Sequence, residues 1–100
     1  MKNYDFYVYI VSNYSRTVLY TGFTNNLARR LFEHETGACK GFTKKYKAKY
    51  LLYFKHYNNV FDAIAREKQI KGWKREKKIE LIKTLNPDLS DLGKEMYEEE

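Results

Sequence analysis

The chain has 100 residues, of which 43% are hydrophobic and 17% aromatic, and it carries a net charge of +6. A chain of this length buries only about 60% of its unfolded surface, enough for one small core, and its aromatic content excludes disorder of the whole chain. No apolar run reaches the roughly 18 residues of a membrane span, no signal-peptide pattern is present, and the single Cys39 excludes an internal disulfide. We therefore expect one cytoplasmic domain without a membrane partner.

Two β-rich runs near the start of the chain predict an antiparallel hairpin. They cover residues 4–11 and 18–24 and are joined by a short polar connection. If the loop consists of residues 13–16, Tyr9 pairs with Tyr20, and two tyrosines then lie side by side on one face of the sheet. A further β-rich run over residues 50–57 predicts a third strand.

Helix signals occupy most of the remaining sequence. Asparagines at residues 25–26 and a glycine at 37 cap the first predicted helix, in which Arg30 and His34 lie along one edge of the apolar face. Helices are predicted over residues 27–36, 60–71 and 74–83. The order ββαβαα predicts an α+β fold, a central three-stranded antiparallel sheet flanked by helices.

The second predicted helix breaks its own pattern. Placing its residues at about 100° intervals puts Glu67 and Lys71 in the middle of the apolar side. A carboxylate aimed at a core is costly unless it is paired, bound to a metal or open to a cleft. The alternatives are a functional carboxylate, a Glu67–Lys71 pair that neutralises itself, and a helix rotated from this estimate.

Basic charge is concentrated in residues 1–85, which hold 18 Lys or Arg against 7 Asp or Glu, a net charge of +11. We therefore predict a domain over residues 1–85, followed by a loosely held acidic tail over residues 86–100. A body of this charge attracts nucleic acid. The segment 37–49, with five lysines and no nearby acid to balance those lysines, is either a solvated loop or an arm that contacts phosphates. The candidate nucleic-acid contacts are four lysines of this segment and one of the second predicted helix: Lys40, Lys44, Lys45, Lys47 and Lys71.

Several kinds of site are disfavoured by the spacing of the polar residues. The chain has only two histidines, no His/Cys/Asp/Glu cluster with the spacing of zinc ligands, and no glycine-rich phosphate cradle. The remaining candidates for chemistry are strand tyrosines, one Arg–His pair and one misplaced glutamate.

These candidates recur in a known motif set. The stretches Tyr7-Val8-Tyr9-Ile10 and Leu19-Tyr20-Thr21-Gly22-Phe23-Thr24, then Arg29-Arg30 with His34, then Arg66-Glu67, resemble the GIY-YIG endonuclease superfamily. The resemblance covers roughly residues 5–83. The chain looks most like small stand-alone bacterial members, which are similar to the catalytic domain of eukaryotic structure-specific endonucleases.

The resemblance implies a role for each matched residue. Tyr9 and Tyr20 match the motif tyrosines, one of which takes a proton from water, and Gly22 matches the closing glycine, where backbone comes close to its neighbours. Arg30 matches the arginine that binds the phosphate. His34 matches a histidine that is present in one branch of the family. The remaining match, Glu67, is the ligand of a single Mg²⁺ or Mn²⁺ that acts as Lewis acid.

The resemblance thus implies a metal-dependent DNA endonuclease acting on branched, flapped or damaged DNA, either alone or with a protein partner. Two other classes stay open. A nucleic-acid-binding module that lost catalysis would bind DNA with strong salt dependence but would not cleave it. A protein-interaction domain would bind DNA no better than its charge predicts.

Overall fold

The first element of the chain is the central strand of a three-stranded antiparallel sheet. The computed structural model describes residues 4–38 and 41–94. Strand β1 (Phe6–Ser12) lies between β2 (Leu19–Thr24) and β3 (Tyr50–Tyr57), in the order β2-β1-β3. Because β1 has a strand on each edge, five of its residues lose all exposed surface: Val8, Tyr9, Ile10, Val11 and Ser12. The predicted sheet is confirmed.

The register of the β1–β2 hairpin differs from the prediction. Tyr9 pairs with Gly22 rather than with Tyr20. The connection spans residues 13–18, because the Asn13 Oδ1 accepts hydrogen bonds of 2.9 and 3.1 Å from two backbone N–H groups at its end. The difference in register is an even number of residues, so both tyrosines stay on the same face of the sheet but lie diagonally instead of side by side.

Four helices accompany the sheet: α1 (Leu27–Thr36), α2 (Phe42–Lys45), α3 (Val60–Lys71) and α4 (Arg75–Leu85). Helix α1 begins after Asn26, whose side chain accepts a hydrogen bond from the Arg29 N–H, and it ends at Gly37, where φ is 79°. The predicted bounds of α1 and α3 are confirmed. The single turn of α2 lies where only a loop was predicted, because one turn is too short to show a periodic pattern. None of the helices described is long and apolar enough to cross a membrane.

The sheet has a hydrophobic core on each face, because alternate residues of a strand point to opposite sides. One core joins Val8 and Ile10 of β1 to α3 and α4 through Ala63, Ile70 and Ile82. The other joins Tyr9 and Val11 of β1 to α1 through Leu27 and Leu31. The second face carries the tyrosines, so the candidate site is built between the sheet and α1.

Residues 86–94, which follow α4, pack against the rest of the domain. The buried Asn86 donates hydrogen bonds from Nδ2 to the carbonyls of Leu52 and Ser90, at 3.0 and 2.7 Å. The Asp91 carboxylate accepts from the Leu51 N–H at 3.0 Å. The expectation of a loosely held segment after residue 85 is therefore wrong for residues 86–94, because their polar groups bond to β3. The domain division at residue 85 stays a prediction, and residues 95–100 lie outside the described part of the chain.

Candidate active site

Tyr9 and Gly22 face each other at the centre of the sheet. The Tyr9 phenol lies directly against the Gly22 backbone, so that a Cβ added at Gly22 would overlap the phenol oxygen and its ring carbon. Any residue with a side chain at this position would push the ring away. The close approach expected for the motif glycine is therefore present, and the atoms it accommodates belong to the first tyrosine.

His34 joins the two tyrosines into one cluster. It lies in the last turn of α1, and its Nε2 is 3.1 Å from the Tyr9 hydroxyl oxygen. Its ring also meets the rings of Tyr9 and Tyr20 edge to face, with centroids 5.7 and 6.1 Å apart. The two tyrosines need not pair directly, because the imidazole contacts both.

Burial determines the charge of His34. The side chain is buried, and its desolvation, with a smaller contribution from the nearby Arg30, lowers its pKa from 6.5 to about 4; the carboxylate of Glu33 opposes this shift. At neutral pH the imidazole is therefore uncharged, with one ring nitrogen able to accept a proton. The Nδ1 atom is buried without a hydrogen-bond partner among the described residues.

Arg30 lies one helical turn before His34 and is held by Glu33. Its Nε is 3.2 Å from the Glu33 Oε1, and the same carboxylate lies 3.8 Å from the Nε of Arg29. The Arg30–Glu33 contact is an ion pair rather than a directed hydrogen bond, since that Nε has no hydrogen-bond partner. Sequence reasoning missed Glu33, although its spacing of three and four residues from the two arginines signals such pairing.

Glu67 and Lys71 approach the cluster from α3. The Glu67 side chain is only 14% exposed, and its Oε2 lies 2.6 Å from the Lys71 Nζ. The Lys71 Nζ in turn lies 5.9 Å from the centre of the Tyr20 ring. The hydrogen bond to Glu67 is the main cause of the raised pKa of Lys71, which is charged at neutral pH. Of the alternatives for this helix, the i, i+4 pair is formed, and its lysine lies beside Tyr20.

The oxygen donors of this site suit only a hydrated metal ion. Within residues 4–38 and 41–94 no group of three His, Cys, Asp or Glu side chains comes close enough together to hold a metal. Glu67 supplies a hard carboxylate oxygen of the kind that Mg²⁺ prefers, and Mg²⁺ commonly keeps several water ligands. A metal site with one protein ligand is therefore compatible with these residues.

The predicted phosphate-contacting lysines that the structure describes have different surroundings. Lys44 and Lys47 are exposed and line a cavity of about 280 Å³ that His34 also lines, whereas Lys45 is exposed beside the ring of Tyr46. Lys71 belongs to the Glu67 ion pair. The remaining lysine of the prediction, Lys40, lies outside the described residues.

Comparison with known proteins agrees with the fold and with the motif order. The chain matches the family model of the GIY-YIG catalytic domain over residues 5–80. It is similar to the UPF0213 protein CPE1444 of Clostridium perfringens, with 35% identity over 94% of this chain and 95% of the relative. A second relative, the UPF0213 protein OB0043 of Oceanobacillus iheyensis, is 41% identical over 76% of this chain and 87% of its own length.

The solution NMR structure of the UPF0213 protein BH0048 from Bacillus halodurans is similar to this structure. The TM-score is 0.56 at 25% identity, and the match covers 84% of this chain and 88% of the other. Since the family model covers the two tyrosine strands, α1 and α3, the chain belongs to the GIY-YIG catalytic domain family.

Proposed function

We propose that this protein is a divalent-metal-dependent endonuclease that hydrolyses phosphodiester bonds in DNA. The observation that carries the proposal is the hydrogen bond between the buried Tyr9 hydroxyl and a neutral His34, with Arg30 one turn away on the same helix. Membership of a catalytic-domain family supports a nuclease. The net charge of +11 over residues 1–85 supports a polyanionic substrate. Branched, flapped or damaged DNA is the substrate class that the resemblance implies.

Tyr9 is the proposed general base. A phenol has a free pKa near 10, so it needs help to take a proton from water at neutral pH. His34 lies where it can share the phenol proton while the phenol oxygen receives one from water, and because its lowered pKa makes it a weak base, its proposed part is to orient the phenol rather than to hold the proton. Tyr20 is the alternative base, since it is partly exposed whereas Tyr9 is fully buried.

Arg30 is the proposed phosphate ligand. A guanidinium presents parallel N–H donors that fit two phosphate oxygens, which a lysine ammonium cannot reproduce. The Arg30 and Glu33 side chains are each about one-third exposed, and because the Arg30 Nε itself is buried the ion pair is only partly exposed. Such pairs contribute little stability, so a phosphate can replace the carboxylate at low cost.

Glu67 is the proposed ligand of Mg²⁺ or Mn²⁺. When bound, the ion supplies Lewis-acid stabilisation of the charge that builds on the phosphate during hydrolysis. Lys71 occupies one oxygen of this carboxylate, and its side chain is half exposed. The lysine can therefore turn toward solvent or toward a DNA phosphate when the carboxylate takes a cation.

Replacing Glu67 with Gln tests the nuclease proposal directly. We expect the wild type to cut supercoiled plasmid and end-labelled branched DNA with Mg²⁺ or Mn²⁺, and Glu67→Gln to be at least about 100-fold slower, the scale for losing one charge-stabilising group. The exposed Glu80→Gln on α4 is the matched control and should cut like wild type. Salt-sensitive DNA binding without any cleavage by the wild type would overturn the proposal in favour of a binding module.

The adjacent arginines of α1 provide a second matched test. Arg30→Lys keeps the positive charge but loses the paired donors, so we expect cleavage to slow by about 100-fold or more. Arg29→Lys, whose side chain is 56% exposed, should change the rate less than threefold. Equal rates for the two variants, measured on the same plasmid substrate, would remove Arg30 as the phosphate ligand.

The two tyrosines are distinguished by removing one hydroxyl at a time. Loss of a general base costs about 10²- to 10⁴-fold, so Tyr9→Phe should fall in that range and Tyr20→Phe should lose less than tenfold. Single-turnover cleavage rates give the comparison without a contribution from product release. The reverse order would assign the base to Tyr20.

The neutral state of His34 predicts a pH dependence of stability. Its folded-state pKa of about 4 is below the ordinary 6.5, so between these values the unfolded chain binds more protons, and stability falls as the pH drops through this window. The expected loss is about 2 to 3 kcal/mol, at about 1.4 kcal/mol per pH unit. Urea unfolding at pH 7 and pH 4.5 measures it.

Two variants decide whether His34 causes that dependence. His34→Gln should lose most of the change in unfolding free energy between the two pH values, whereas His56→Gln, at an exposed histidine, should keep it. The same pH dependence in wild type and His34→Gln would contradict a neutral buried imidazole.

A further inference from the structure

Beside the candidate active site, a surface of alternating tyrosine and basic side chains leads away from His34. The cavity next to His34 and a second cavity of about 380 Å³ share two lining residues, Lys47 and Lys49. The second cavity is lined further by Tyr14, Tyr46 and Tyr50. The two cavities are therefore adjacent, with these two lysines between them, and we name their combined lining the basic-tyrosine track.

The tyrosines of the track come from different elements. Tyr14 lies in the β1–β2 connection and is 81% exposed, and Tyr46, just after α2, is 41% exposed. The Tyr14 ring meets that of Tyr50 edge to face, with centroids 6.1 Å apart. Both exposed rings line the same cavity, so they form one aromatic surface rather than two isolated side chains.

Cations accompany these rings. The Arg16 guanidinium lies 4.9 Å from the centre of the Tyr50 ring and is held there by hydrogen bonds to the backbone carbonyls of Asn13, Tyr14 and Leu89. The ammonium groups of Lys49 and Lys45 lie 5.8 and 5.4 Å from the rings of Tyr50 and Tyr46. Among the described residues that line the two cavities, Glu35 is the single acidic side chain.

This combination matches the chemistry of unpaired nucleic acid. Proteins bind single strands through a basic groove that follows the phosphates and through aromatic side chains on which bases stack. In a duplex the bases are already stacked on one another, so Tyr14 would gain no stacking partner. A protein partner is disfavoured by the basic charge, because interface centres are depleted of lysine.

We propose that the basic-tyrosine track binds a single-stranded DNA segment that leads from the scissile phosphate, with a base stacked on Tyr14. Lys44, Lys47 and Lys49 then contact the phosphates between that base and His34. The proposal rests on the proposed nuclease function for the choice of DNA, and it restricts the substrate to DNA with an unpaired strand next to the cleaved bond.

The test compares the affinities of Tyr14→Ala for single-stranded and double-stranded DNA. Both proteins carry Glu67→Gln, so the comparison is between Glu67→Gln alone and Glu67→Gln with Tyr14→Ala. Binding to a labelled 12-nucleotide strand and to its blunt duplex is followed by fluorescence anisotropy in EDTA at fixed salt. We expect Tyr14→Ala to weaken single-strand binding roughly 5- to 100-fold, the range for losing one stacked base, and duplex binding less than twofold. Tyr4→Ala, at another exposed tyrosine, is the control and should change neither affinity.

A charge variant tests the rest of the track. Lys49→Gln should weaken single-strand binding. It should also reduce the slope of log affinity against log salt concentration by roughly the amount that one phosphate contact contributes. Lys55→Gln, at an exposed lysine of β3, should leave both unchanged. Any of three results would overturn the proposal. Tyr14→Ala could bind the single strand as tightly as wild type, it could lose as much affinity for the duplex as for the single strand, or the protein could fail to bind DNA at 50 mM salt.

The outcome is separate from that of the nuclease proposal. If the unmodified chain does not cleave DNA but its single-strand affinity depends on Tyr14, the track is supported and the nuclease proposal fails. If the chain cleaves but Tyr14→Ala binds and cuts every substrate like wild type, the track is overturned and the nuclease stands.

Discussion

The close approach of Tyr9 to Gly22 is the constraint on which the candidate site depends. Tyr9 lies in the central strand, and its phenol fills the space that a side chain at the paired position would need. The phenol oxygen can therefore meet His34 of α1 beneath the sheet. A side chain at position 22 would displace the ring and break that hydrogen bond. The strand register, by pairing Tyr9 with a glycine, therefore makes the Tyr9–His34 contact possible.

The charged residues of the site are each held by a neighbour on the same helix. Arg30 is paired with Glu33 on α1, and Glu67 with Lys71 on α3. Such i, i+3 and i, i+4 pairs keep the charges in place without a ligand, yet partly exposed pairs add little stability. A phosphate or a cation can replace the partner without a large loss. Helices α1 and α3 thus supply one positive and one negative group, Arg30 and Glu67, each paired within its own helix.

The acidic residues after α4 do not all neutralise the basic surface. The Asp91 carboxylate accepts hydrogen bonds from the backbone N–H groups of Leu51 and Gly93, and the first of these attaches the segment to β3. Asn86 is buried for the same purpose. Residues 86–94 can pack on the domain although many of them are polar, because their polar groups form hydrogen bonds with backbone groups in place of water.

The sequence by itself determined the types of all elements except α2, the bounds of α1 and α3, and the unusual position of Glu67, because caps and helical periodicity are local properties. It also placed both tyrosines on one face, because the side chains of a strand alternate with a period of two. Only the tertiary structure decided the hairpin register, which depends on the hydrogen bonds of one loop side chain, Asn13. It alone decided that His34 contacts both tyrosines and that Lys71 lies over Tyr20, because these contacts join elements distant in the chain and are set by how the helices pack on the sheet.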